Sequence, residues 1–485
     1  MTSMSKLPDN WAVKPLGEVC KIIKGKKPKD SGSASNERTV PYINIKAFES
    51  GQPVEFAAPG GYPACERDDV LIVWDGARAG LTGRGVSGYI GSTLAKIYSD
   101  AADNRYLFYF LRSQYDQINS RTKGVGIPHV DPSIFNKIPF PIAPLDQQER
   151  IVSEIEKQFS RLDEAVANLK RVKANLKRYK TAVLKAAVEG KLTEEWRKEH
   201  LDVEPASELL KRILTERRKK WEEAELAKMK AKGKEPKDDE WKKKYKQPSD
   251  LDSTNLPDLP QNWIWGTIDQ LAAPGPNSIT DGPFGSNLKT AHYRSSGPRV
   301  IRLQNISEGK FLDEEAHISE EHYKKLLKHE VLPGDVIIAA LGHPAPRACL
   351  IPLTLGKAIV KADCIKFRPS APKVLPAYLM YAINSQPTQK RTYAIVHGVG
   401  RPRLNLGEIK GIALPVPPTD EQKSVLQEIE SRLSVVEGIV NELDHNIERA
   451  ERLRQSILAR AFSGALIQQE LGLNEEHTSK EMTNG

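Results

Sequence analysis

The chain has 485 residues, room for two or three domains with cores of their own, and a formal net charge of +9. No apolar run is long enough to span a bilayer, and Met1-Thr2-Ser3-Met4-Ser5-Lys6 lacks a signal-peptide core. Cys20, Cys65, Cys349 and Cys364 stand far apart without CxxC spacing, which argues against a zinc knuckle or a disulfide framework and leaves buried free thiols in a reducing cytoplasm as the expectation.

Residues 1–145 are rich in Gly, Pro and short β-branched runs, and carry a net +4. Val40-Pro41-Tyr42-Ile43-Asn44-Ile45 and Asp69-Val70-Leu71-Ile72-Val73 read as buried strands, and Tyr106-Leu107-Phe108-Tyr109-Phe110-Leu111 as a helix. After Pro139, Pro141 and Pro144, Asp146 caps a long helix. Its apolar residues Ile151, Ile155, Phe159, Leu162, Val166, Leu169, Val172, Leu176, Tyr179 and Val183 recur at steps of three or four, a coiled-coil seam that stops near Gly190. At 1.5 Å per residue this is a rod of about 65 Å, which cannot bury its seam alone. Pro205-Ala206-Ser207 opens a highly charged helix with Leu209, Leu210, Ile213 and Trp221, followed by Lys-rich coil; it reads as a solvated connecting arm rather than a phosphate-binding one.

Residues 259–418 form a second basic unit, with a net +7 and strands at Arg299-Val300-Ile301-Arg302-Leu303 and Asp335-Val336-Ile337-Ile338-Ala339. Its helix is Tyr378-Leu379-Met380-Tyr381-Ala382-Ile383. After Pro415, Pro417 and Pro418, Thr419 or Asp420 caps a second rod, with its seam at Val425, Ile429, Leu433, Val436, Val440, Leu443, Ile447, Leu453 and Ile457, ending near Gly464. The divisions are therefore 1–145, 146–192 (first helix), 193–258 (charged helix and linker), 259–418, 419–470 (second helix) and 471–485, a disordered tail.

These parts are two copies of one unit. Leu7-Pro8-Asp9-Asn10-Trp11 returns as Leu259-Pro260-Gln261-Asn262-Trp263, 252 positions later. The block from Gly124-Val125-Gly126-Ile127-Pro128 through Glu189-Gly190-Lys191-Leu192 returns without a gap at an offset of 274, placing Gln148 on Gln422 and Gly190 on Gly464. The expected fold is mixed α/β (α+β): two pseudo-two-fold-related α/β domains joined by two long antiparallel coiled-coil helices.

Catalytic signatures are missing. The sequence holds no GxxxxGK[ST] loop, no Asn/Asp-Pro-Pro-aromatic motif of the adenine methyltransferases, and no HExxH or paired His/Cys ligand spacing. Gly80, Gly83, Gly85 and Gly88 do not fit GxGxxG and read as turn glycines. The chain is therefore expected to be no enzyme by itself, and a fused modification enzyme is disfavoured.

Two basic α/β units, each followed by a heptad helix, resemble the specificity subunit of Type I restriction–modification systems. The resemblance covers about 7–470 and rests on the Leu-Pro-x-Asn-Trp openers, Pro144-Leu145-Asp146-Gln147-Gln148-Glu149 and Pro418-Thr419-Asp420-Glu421-Gln422-Lys423, Gly190-Lys191-Leu192-Thr193-Glu194-Glu195-Trp196, and Asp281-Gly282-Pro283-Phe284-Gly285-Ser286. The first unit departs from it, with Lys24-Gly25-Lys26-Lys27-Pro28 in place of the Gly-Pro-Phe-Gly turn. The resemblance implies two target-recognition domains, each reading one half of an interrupted asymmetric sequence in double-stranded DNA, with the helices as spacer. It implies two methyltransferase subunits and two restriction/translocase subunits as partners. S-adenosylmethionine, ATP and Mg2+ belong to those partners, and no cofactor or metal to this chain. A coiled-coil DNA-binding adaptor or regulator outside restriction is the alternative.

Arg commonly reads guanine, Asn or Gln adenine, and Lys meets phosphate. The candidates in the first unit are Lys24, Lys26, Lys27, Arg78, Arg84, Arg121, Lys123 and His129. In the second they are Asn287, Lys289, Arg294, Arg302, Gln304, Asn305, Arg347, Arg401 and Arg403. The seam is assigned to Ile155, Leu162, Val166, Leu169, Leu176, Ile429, Val436, Val440, Leu443 and Leu453.

Overall fold

The computed structural model describes residues 7–124, 126–233, 236, 238–395 and 402–466. It divides into two compact units, residues 1–172 with 442–485, and residues 173–441. Each unit thus holds one α/β domain, the first part of the long helix that follows it and the last part of the other long helix.

In the first unit a two-stranded antiparallel ribbon pairs Ala12–Pro15 with Pro139–Ile142, Val13 opposite Pro141. A four-stranded antiparallel sheet follows in the order Cys20–Lys24, Leu94–Ser99, Val70–Val73, Thr82–Gly83. A second sheet runs parallel where Val40–Ile43 meets Gly88–Ile90. All four residues of Val70–Val73 are buried, as expected of a strand covered on both faces. Helix Asn104–Ser113 starts where Asp103 accepts from the amides of Arg105 and Tyr106. It lays Tyr106 and Phe110 against Phe140 and Phe462.

The second unit repeats this plan. Its ribbon pairs Ile264–Thr267 with Ala413–Val416, and its antiparallel sheet runs Ile279–Thr280, Cys364–Phe367, Val336–Ala339, Arg347–Leu350. A further sheet has its parallel pair at Arg299↔Ala358. One addition has no counterpart among the described residues of the first unit. Helix Ala206–Ala231 buries Leu209, Leu210 and Ile213 in the core of this unit, Arg217 binds Asp269 at 3.1 Å, and Trp221 stacks on Trp241. The solvated-arm reading of this stretch is therefore corrected. Its charge is high, but three apolar residues at helical spacing make one face a core face.

Both long helices have 44 residues, Leu145–Val188 and Thr419–Phe462. In the first unit Ile151, Val152, Ile155 and Phe159 share a core with Ile457, Leu458, Ala461 and Phe462. In the second, Val183, Leu184, Ala187 and Val188 share one with Val425, Ile429 and Leu433. In both, the start of one helix packs beside the end of the other, an antiparallel pairing in which each buried Leu, Ile or Phe contributes roughly 1.5–3 kcal/mol. Val166, Ile429, Val436 and Leu443 are buried, while Leu162, Leu169, Leu176 and Val440 are half-buried. Leu453 departs from the seam at 43% exposure, as do Val172 and Tyr179. Beyond Leu443, steps of four and three lead to Ile447, Ala450, Arg454 and Ile457, one residue off Leu453, and Arg454 lays its stem in the seam.

The repeat is held at matching atoms. Gln148 is fully buried; its amide donates to the Ala143 carbonyl at 2.8 Å and its oxygen accepts from the Asp103 amide at 2.9 Å. Gln422, also fully buried, does the same with Pro417 at 2.9 Å and Leu375 at 2.8 Å. The hydroxyls of Tyr106 and Tyr378 donate to the Pro141 and Pro415 carbonyls, each at 2.9 Å. Each opener seats on a helix end. Gly464 (φ +80°) approaches Pro8 and Gly190 (φ +72°) approaches Pro260 so closely that a Cβ at either would lie 2.5 Å from the proline ring. Only glycine meets both demands.

All four cysteines are free. Burial pushes the Cys20 and Cys349 thiols up to about 12 and Cys65 to about 11, so they are protonated and unreactive near neutrality.

Candidate nucleic-acid interface

In each unit three backbone segments converge at one end of the antiparallel sheet. The first follows the edge strand. A Cβ on Gly25 would lie 2.1 Å from the Gly91 carbonyl oxygen, and one on Gly282 would lie 2.0 Å from the Lys361 carbonyl carbon. Close backbone approach therefore demands glycine at both, and it aligns Lys24-Gly25-Lys26-Lys27 with Asp281-Gly282-Pro283-Phe284. The second is the turn after the central strand, Trp74-Asp75-Gly76 or Ala340-Leu341-Gly342. The third returns alongside it. The Gly76 amide donates to the Pro128 carbonyl at 2.7 Å and the Val130 amide to the Trp74 carbonyl at 2.9 Å. In the second unit Gly342 donates to Pro402 at 3.0 Å and Leu404 to Ala340 at 2.8 Å. The backbone is shared, so His129 and Arg403 hold equivalent places.

The side chains differ. In the first unit Lys24 lies 5.0 Å over the Trp74 ring, and the backbone of His129 bridges to the backbones of Asp75 and Lys123. Lys123 pairs with Asp131 at 2.9 Å, and hydrogen bonds from Ser133 and Lys123 hold that carboxyl down at about 2. Lys26, Lys27 and Arg121 are exposed. In the second unit Arg403 lies 5.7 Å over the half-exposed Phe284 ring and pairs with Asp363 at 2.8 Å. Asp363 sits at φ +67°, in the left-handed region that few side chains adopt. An arginine held by a carboxylate and an aromatic face presents its remaining donors in a fixed fork. In the first unit this end of the sheet is basic, in both it has an aromatic floor, and no group of metal-ligating side chains lies among the described residues; such a surface is suited to a polyanion with base-edge contacts.

Several sequence candidates lie elsewhere or are committed to the fold. Arg78 pairs with Glu49, and Arg84 with Asp68 at 3.1 Å. Asn305 is fully buried, its amide donating to the Leu312 and Glu314 carbonyls at 2.8 Å each while its oxygen accepts from the Arg302 amide, so no edge is left for a base. Arg347 gives its guanidinium to the Ile306, Leu341 and Leu303 carbonyls at 2.9, 3.1 and 3.4 Å, which ties loops together. Arg302 reaches the Glu315 carbonyl at 3.2 Å and Gln304 binds Glu314. Asn287, Lys289 and Arg294 gather beside His292 and His322, whose rings are tilted by 36° with centres 4.1 Å apart. Arg401 lies outside the described residues. Sequence reading passed over Trp74 and Asp363; the signal available was their place one or two residues from a strand end.

The described residues form a duplicated α/β scaffold with long helices and a twinned surface at the sheet ends, an architecture in keeping with a DNA specificity subunit. The profile of the Type I restriction modification DNA specificity domain matches residues 8–178 and 299–449, and the chain belongs to that family. It is 24% identical to the Type I restriction enzyme MjaVIII specificity subunit of Methanocaldococcus jannaschii, over 93% of each chain. It is 23% identical to the Type I restriction enzyme EcoDI specificity subunit of Escherichia coli, over 96% of this chain and 91% of that one. A solved chain from a study titled "Structural basis underlying complex assembly and conformational transition of the type I R-M system" shares the fold, with a TM-score of 0.61 at 17% identity, covering 95% of this chain and all of the other. Specificity subunits are the non-catalytic recognition components of these enzymes. Among the described residues, no helix is long and apolar enough to cross a membrane.

Proposed function

We propose that this chain selects the DNA sequence on which a Type I restriction–modification complex acts, each α/β unit reading one half of a bipartite, asymmetric site. The long helices set the gap and dock two methyltransferase subunits, and two restriction/translocase subunits complete the assembly. Adenine methylation and restriction both depend on the chain, which works in the cytoplasm. S-adenosylmethionine, ATP and Mg2+ serve the partners; reaching a base atom in a duplex requires flipping, which is the methyltransferase's task.

The observation that carries this reading is the twinned three-segment surface: one backbone geometry with Lys24, Trp74 and His129 in one copy and Phe284, Asp363 and Arg403 in the other. Equal frames with unequal side chains suit a split target with unequal halves. The test is to map methylated adenines in cells carrying this chain with its partner subunits. Arg403→Ala is expected to relax one half only and His129→Ala the other, each by roughly 5- to 150-fold, since one good side-chain pair discriminates bases by about 1–3 kcal/mol. Either variant relaxing both halves, or a wild-type chain giving no bipartite motif, would defeat the proposal.

A further inference from the structure

Two adjoining clefts open in the second unit beside the first long helix. One, of about 890 Å3, is lined by Lys177 and Lys180 of that helix with Gln304, His343 and Arg347 among the residues of the α/β domain. The other, of about 490 Å3, is lined by the same two lysines with Lys173, Lys310, Val436 and Glu437. Lys173, Lys177 and Lys180 fall on one helix face by their spacing, and Lys310 joins them from a turn of the domain. Among the described residues no salt bridge joins Lys177, Lys180 or Lys310 to an acid. Glu308 and Glu437 are the acids that line the clefts.

Among the described residues the first unit does not repeat these lysines. The positions matching Lys173, Lys177 and Lys180 are Ile447, Glu451 and Arg454. Arg454 is bound to Asp163, with Glu451 at 3.7 Å, so the charge is cancelled there. Stability does not demand the lysines, since the same helix packing exists without them. Uncompensated cations lining a trough cost self-repulsion, and their use is to meet an anion.

We propose that Lys177, Lys180 and Lys310 form a phosphate track that grips the DNA backbone in the unread gap of the target, on the side of the second unit. The proposal rests on the reading of the chain as a DNA-sequence selector and adds a contact that carries no sequence information. The trough runs from Gln304 and His343, at the domain, to the spacer helix, so a duplex engaged by the second unit passes its backbone along these amines. Each lysine that neutralises one phosphate releases condensed counterions and adds about 0.9 to the steepness of the log-affinity against log-salt plot.

The experiment measures binding of the full-length chain to a duplex bearing its bipartite site across a series of KCl concentrations, wild type beside Lys177→Gln/Lys180→Gln/Lys310→Gln. The slope is expected to flatten by about 2.7, and affinity to fall by the same factor for correct and altered half-sites. Neutral methylphosphonates placed across the gap should reproduce the flattening with the wild-type chain and add nothing to the variant. An unchanged slope overturns the track. So does a variant that binds DNA as the wild type does but loses its methyltransferase partners, which would assign the lysines to a protein contact. Wild-type chain that ignores the bipartite site defeats the sequence-selector reading itself, a failure distinguishable from the first two.

Discussion

In the first unit Lys96 pairs with Asp69; at the matching positions of the second, Lys366 donates to the Glu330 carbonyl at 2.7 Å and Asp335 is gripped by Arg368 through two bonds of 2.8 Å. The ribbons differ too. All four residues of Ala12–Pro15 are exposed, whereas Ile264–Thr267 is half-buried to buried and held through Thr267, which donates to the Ser249 carbonyl at 3.1 Å. Against these stand Gln148 and Gln422, Tyr106 and Tyr378, and Gly190 and Gly464, which keep their principal partners at matching positions. What stays constant joins each α/β domain to the long helices; what varies lies on strands, loops and the exposed faces. A scaffold that must present two different surfaces at a constant geometry would diverge in this way.

The widest break in the comparison comes from the helix cores. Leu184 and Leu458 are equivalent and nearly fully buried, each in its own unit. Leu184→Asp and Leu458→Asp should each cost roughly 4 kcal/mol or more, since each removes well-packed apolar atoms and buries a carboxylate without a partner. Hydrogen exchange should show the second unit opening first in one variant and the first unit in the other. Equal loosening of both units by either change would mean that they do not act as separate cores.

A smaller effect distinguishes the two openers. Trp263 donates to Glu421 at 2.8 Å, and the same buried carboxylate accepts from Thr193 at 2.7 Å and from Arg197. Its counterpart is neutral: Trp11 donates to the Gln147 side chain at 2.8 Å. Glu421→Gln leaves the Arg197 cation without its anion and should cost about 3 kcal/mol, while Gln147→Ala should cost about 1 kcal/mol. Denaturant titration compares the pair directly. Equal losses would show that the charge adds nothing to the second joint.

The constant parts were legible in the sequence because a repeat at a fixed offset exposes them, and because helix periodicity and proline lead-ins act locally. Both long helices begin and end within a residue or two of their caps and glycines. Leu453 was misplaced because a six-residue step hid Arg454, whose aliphatic stem substitutes for an apolar residue. The surface candidates were less legible. Whether an arginine is free depends on which carbonyls the fold brings to it: Arg347 and Asn305 look like base readers in sequence and are consumed by loop carbonyls in space. Lys24 and Trp74 lie fifty residues apart, and only the strand pairing brings them together.

The finest comparison is one of pH. Burial pushes the Lys366 amine down to about 8, with the Arg368 cation adding to the effect, while an unfolded lysine titrates near 10.5. A lysine depressed in the folded state is protonated in both states below about 8, so folding bears the cost of a buried cation there. Between the two values the unfolded chain holds more protons, and stability rises with pH. From pH 8 to 9 the gain should be about 1 kcal/mol. Above pH 9 the buried thiols act oppositely, because Cys349 keeps its proton to about 12 in the fold and loses it sooner when unfolded. The difference between wild type and Lys366→Met, followed by denaturation across this range, isolates the lysine. The wild type should gain on the variant as pH rises from 8 to 9. A constant difference would mean that Lys366 is as well solvated as an unfolded lysine, and that the second sheet carries its cation without cost.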